Sequence, residues 1–135
     1  MRALTNTHHA TLAATLDAMD DENALTTLGA ATDDHGVAYA EPWDERATHR
    51  SFVGHLWMQA FLRKGPLERA QELAASAIKP LLMVTDEIVL AAWPDVADAR
   101  LGQPTLLACE QYGIPAVRDA VRSRLADIPI SDAAV

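Results

Sequence analysis

Five histidines, a single cysteine and a segregated set of carboxylates are the groups in this chain with the most chemistry to offer. Glu45 and His49 stand four residues apart, a spacing that puts a carboxylate and an imidazole on one face of a helix, where they can share a proton or a ligand. His55 projects to the opposite side of the same helix, so His49 and His55 cannot ligate one ion. His8 or His9 would have to reach His49 from another helix, and the Glu-x-x-His spacing of helical-bundle metal sites does not occur. No metal and no cofactor is expected. Cys109 has no second cysteine to pair with, which excludes an intrachain disulfide and multi-cysteine zinc or iron-sulfur sites. It reads as a small buried hydrophobe. The sequence has no GxSxG elbow, phosphate loop, HExxH or CxxC, and Ser51, Ser76 and Cys109 fall within helical patterns rather than on exposed turns. The chain is therefore read as non-enzymatic.

The carboxylates carry a stronger pattern. The 135 residues hold 19 Asp and Glu against 11 Lys and Arg, for a net charge of -8, and the imbalance is confined to one end. Residues 1–45 contain nine acids and one base, Arg2, whereas residues 46–135 contain ten of each. The expected organisation is one domain over 1–135, with an acidic segment 1–45 and a charge-balanced body 46–135. A negative surface of this kind steers a basic partner and repels wrong ones, as toxin-neutralising proteins do. Its candidate contacts are Asp20, Asp21, Glu22, Asp33, Asp34, Glu41, Asp44 and Glu45, together with Tyr39 and Trp43, the two aromatic residues that no helix face accounts for. Neither Asp17 to Glu22 nor Asp33 to Gly36 offers the alternating oxygens and closing Glu of a calcium loop. The pI near 4.9 argues against broad, charge-driven adhesion to nucleic acid.

Two alternative sites stand beside this one. Residues 104–126, PTLLACEQYGIPAVRDAVRSRLA, read as two short helices around Tyr112-Gly113-Ile114, with Arg118, Arg122 and Arg124 on the second. The fragment AVRDAVRSRL resembles the recognition helix of winged-helix repressors of the GntR class, which implies a helix-turn-helix regulator whose arginines meet DNA. Asp119 stands where that family has a core aliphatic, and no wing hairpin follows. The third reading is a helical protein that takes a small ligand near His49, Trp57 and Phe61.

These side chains must be positioned by helices. The 26 alanines favour close helix packing over a sheet of branched residues. Thr7 or Asn6 caps a first helix with Leu12, Leu16 and Met19 on one face, and the acidic run at 20–22 restarts it through Ala24, Leu25, Leu28 and Ala31. Val37 to Trp43 is loop or a short extended piece. The recurrence of Val53, Leu56, Trp57, Ala60 and Phe61 describes an amphipathic helix from Asp44 to Leu62, closed by Lys64 and Gly65. After Pro66, a stripe of Leu67, Ala70, Ala74, Ala77, Leu81, Val84, Ile88 and Ala91 is interrupted by Pro80, which kinks the helix or splits it at Lys79. Asp95, Pro104 and Pro115 begin three short helices, and Ser131 to Val135 frays.

The expected fold is all-α: a single-domain helical bundle of five to seven helices with a long Pro-interrupted central helix or helix pair. The stripe also permits a homodimer. The opening residues show no secretory pattern, and the apolar stretch from Leu73 to Trp93 carries Lys79, Asp86 and Glu87, so a cytoplasmic protein with no membrane span is expected. In sum, the residues point to a basic protein partner, with nucleic acid a weaker candidate.

Overall fold

The structure is a computed structural model that describes residues 1–27, 29–62 and 67–131, with side chains left aside at 67–77. The readings that fall on Leu28, Lys64, Gly65, Pro66 and residues 132–135, and on the side chains of Leu67, Ala70, Ala74 and Ala77, lie outside the described residues.

Helix α1 (Asn6–Ala18) starts one residue before the predicted caps, because the hydroxyl of Thr5 accepts the N–H of His8 at 3.1 Å. Leu12, Leu16 and Met19 are buried as their spacing predicts. Thr11 and Thr15 are buried beside them, and each donates its hydroxyl to the carbonyl one turn back, which removes the cost of desolvating it. The acidic run does not restart an α-helix. Asp21 instead accepts from the N–H of Asn23 and opens a single 3-10 turn, Glu22–Ala24.

The all-α expectation is corrected by a small antiparallel sheet. Strands β1 (Ala31–Thr32), β2 (Ala38–Tyr39) and β3 (His49–Arg50) lie in the order β2-β1-β3, with Ala31 opposite both Tyr39 and Arg50. The turn joining β1 to β2 is built by Asp33, whose Oδ1 accepts from the N–H of His35 and of Val37, and by Gly36 at a φ of 79°.

Helix α2 (Phe52–Leu62) begins at Phe52, not at Asp44. Ser51 caps it, with its Oγ accepting from the Gly54 N–H at 3.0 Å, while Thr48 to Arg50 are extended in and beside the sheet. His49 is thus a strand residue and shares no helix face with Glu45 or Val53. The buried face of α2 is formed by Phe52, His55, Leu56 and Ala60, so His55 points inward, opposite to its predicted direction.

Helix α3 (Leu67–Ala92) is one helix with Pro80 in its interior; of the two alternatives the sequence left open, the division at Lys79 does not occur. Leu81, Val84 and Ile88 of the predicted stripe are buried, joined by Ile78, Leu82 and Val89. It packs against α1, α2, α4 (Gln103–Tyr112) and α5 (Ile114–Arg124). Both short helices carry Pro in the first turn, as Pro104 and Pro115 predict, but Asp95 begins only a 3-10 turn, Pro94–Val96. Leu4 bridges Ile130 in parallel, its N–H bonded to the Pro129 carbonyl and its carbonyl to the Ser131 N–H, both at 2.8 Å. Among the described residues, no helix is long and apolar enough to cross a membrane.

Candidate functional site

Three groups of residues compete for the role of a site, and the structure treats them differently. The first joins two predicted sets. Arg118 and Arg122, one turn apart on α5, face the C-terminal end of α1, where the helix dipole is negative. Arg118 has only 11% of its side chain exposed; its Nη1 donates to the Met19 carbonyl and to Glu22 Oε1, both at 3.2 Å, and its Nε donates to Asp119 at 2.9 Å. Asp119 and Glu22 hold the Arg118 pKa above its ordinary value. Arg122 donates from Nη2 to the Leu16 carbonyl at 3.1 Å and pairs with Asp20 at 3.0 Å and Asp17 at 3.6 Å. Arg124 lies 3.4 Å from Asp127. The arginines read as DNA contacts and the acids read as partner contacts are in good part each other's partners.

The second group is the loop around the sheet. Asp33 accepts from the Tyr39 hydroxyl at 2.8 Å, and this bond, after the larger effect of the Val37 N–H, holds the Asp33 carboxyl below its ordinary pKa. Asp44 receives both Nε and Nη2 of Arg46, at 3.0 and 2.9 Å, and the pair holds the carboxyl at about 2. The Arg46 guanidinium also lies 4.6 Å from the centre of the Tyr39 ring. Trp43 donates to Glu41 at 3.0 Å and stacks on Phe61 and Trp57, with ring centres 4.6 and 5.9 Å away. Thr48 donates to Asp34 at 3.0 Å, and His49 Nδ1 lies 2.8 Å from the same hydroxyl. Trp57 and Phe61 are therefore joined to Trp43, while His49 sits in the sheet against Thr48 and Asp34. Asp34, Glu41 and Glu45 remain exposed.

The third group was not visible in the sequence. A cleft of about 380 Å³ opens between Thr26, Thr27, Gly29 and Ala30, the start of α2 and α4, with Phe52, Val53, Leu82, Leu106, Cys109 and Ile114 in its walls. Beside it Gly54 marks a close approach, since a Cβ there would run into the carbonyl oxygen of Ala30. Burial and the neighbouring Glu110 push the Cys109 thiol up to about 12, so it is a neutral wall and not a nucleophile. Near this region His55 is buried, its pKa pushed down to about 4 by burial and then by the charge of Arg50; among the described residues its Nε2 has no hydrogen-bond partner. Among the described residues, no three His, Cys, Asp or Glu side chains converge to hold a metal.

Comparison of the chain with protein-family models, with curated proteins and with solved structures gives no match. The functional reading rests on the geometry alone.

Proposed function

We propose that this chain is a non-enzymatic interaction protein that meets a basic partner through the acidic loop around its sheet. One observation carries the reading: Trp43 stacks on Phe61 and Trp57 and so fixes, against α2, a loop whose Asp34, Glu41 and Glu45 face solvent. A loop held in place before binding loses less entropy on association, and exposed charges of one sign raise the encounter rate. Tyr39 and Asp44 support the loop through Asp33 and Arg46 rather than offering free groups. Asp20 and Glu22 contribute less, because Arg118 and Arg122 already neutralise them. A single buried thiol fits a reducing, cytoplasmic setting.

The test compares wild-type protein with the triple variant Asp34→Lys, Glu41→Lys, Glu45→Lys, each immobilised and exposed to host lysate at low and moderate salt. The reading expects a basic protein retained by the wild type, released as salt rises, and lost by a triple variant with unchanged circular dichroism. Equal retention by both proteins would overturn it.

A further inference from the structure

The cleft beside α4 is distinct from the acidic loop, and its chemistry defines what it can hold. We propose that it is a binding site for an uncharged, mostly apolar small molecule about the bulk of two or three aromatic rings. Size sets the first limit. A cavity of about 150 Å³ holds benzene, and ligand clefts begin near about 300 Å³; this one measures about 380 Å³. Polarity sets the second. Two of the four hydroxyls in the walls are already bonded: Ser51 Oγ accepts from Gly54 N–H and donates to the Ala30 carbonyl, and Thr105 Oγ donates to Asp86 at 2.6 Å. The rest of the wall is mostly apolar, so an apolar occupant gains the burial of the leucine, valine, isoleucine and phenylalanine side chains.

Charge sets the third limit. Among the described residues, no Lys, Arg or His lines the cleft, whereas exposed Glu110 does. An anionic ligand would meet a like charge with no cation to offset it. The walls are fixed without a ligand. Asp86 on α3 anchors the start of α4 through the N–H groups of Gly102 and Thr105, and Gly54 lets the Ala30 backbone close on α2. Leu101, 47% exposed, extends the apolar surface to the mouth.

Two probes with one skeleton test the proposal: neutral N-phenylnaphthylamine and its sulfonated analogue, anilinonaphthalene sulfonate. Fluorescence titration of the full chain should show the neutral probe saturating at one per chain and the sulfonate binding about tenfold or more weakly at low salt. Leu106→Trp fills the cleft and should weaken the neutral probe about tenfold or more. Glu110→Gln should narrow the gap between the two probes. If Leu106→Trp does not fold, the melting temperature of the wild-type chain is the second readout, and it should rise as the neutral probe is added and change much less with the sulfonate. Failure of the neutral probe to saturate, equal affinity for both probes, undiminished binding by folded Leu106→Trp, or a melting temperature unmoved by the neutral probe would each overturn the proposal.

Discussion

The guanidinium of Arg118 donates to the carbonyl oxygen of Met19 at 3.2 Å, joining α5 to the end of α1 across ninety-nine positions of sequence. The same side chain pairs with Glu22 and lies 3.7 Å from Asp20, so one cation terminates a helix and gathers the acids beyond it. Arg118→Ala leaves that carbonyl without this donor and is expected to cost about 1–3 kcal/mol. Arg124→Ala, which removes a more exposed pair, should stay within about 0.5 kcal/mol. Urea denaturation of the two variants checks the contrast; equal losses would mean that the guanidinium at 118 does not act as a cap.

His55 makes stability depend on pH. Its folded pKa near 4 lies below the ordinary 6.5, so the unfolded chain binds the proton first. The stabilisation is complete above about pH 6.5 and falls as pH drops towards 4, by on the order of 2–3 kcal/mol. His55→Gln cannot titrate and should flatten that part of the profile. The check is the melting temperature of both proteins between neutral pH and about pH 4; parallel curves would remove His55 from the account.

Asp86 is a helix cap supplied from another helix. It is 8% exposed and accepts from Gly102 N–H at 2.8 Å and from Thr105 Oγ at 2.6 Å. Asp86→Ala is expected to destabilise by about 2–4 kcal/mol, because it removes a cap and strands buried donors. Hydrogen exchange at the Gly102 and Thr105 amides should quicken before the rest of the chain responds. If only global unfolding changes, the cap has no local role.

Gly54 is required by proximity. Its φ is not in the left-handed region, yet a methyl there would collide with the Ala30 carbonyl. Gly54→Ala should displace residues 29–30 and cost about 1–3 kcal/mol, despite the better helix propensity of Ala. Gly36→Ala tests the other kind of glycine: φ is 79° and the space around it is open, so about 1 kcal/mol of backbone strain is expected. Thermal unfolding of both variants separates steric from conformational demand.

The helices that pack by period were legible because burial repeats along them. Leu12, Leu16 and Met19 in α1, Val117 and Val121 in α5, and the prolines at 104 and 115 announce themselves locally. Of the strands, β2 falls where a loop or short extended piece was read, but β1 and β3 were not foreseen, since two residues cannot display an alternation. Their presence moved the start of α2 from Asp44 to Phe52 and with it reversed the directions read for His49 and His55. Trp43 and Tyr39 were visible as unexplained aromatics, but the rings and cation they meet belong to the fold. The pairing of Arg118 with residues 19–22 and the cleft beside Cys109 are contacts between distant segments, and no local pattern encodes them.

The clasp at Leu4 and Ile130 has a mechanical consequence. Because the two segments run parallel, a pull directed outward from the near end of one and the far end of the other slides them past each other instead of peeling them apart. Both bonds of Leu4 then bear the load together. Tension applied through residues 1–3 and 131 loads this shear pair ahead of α1 and α5.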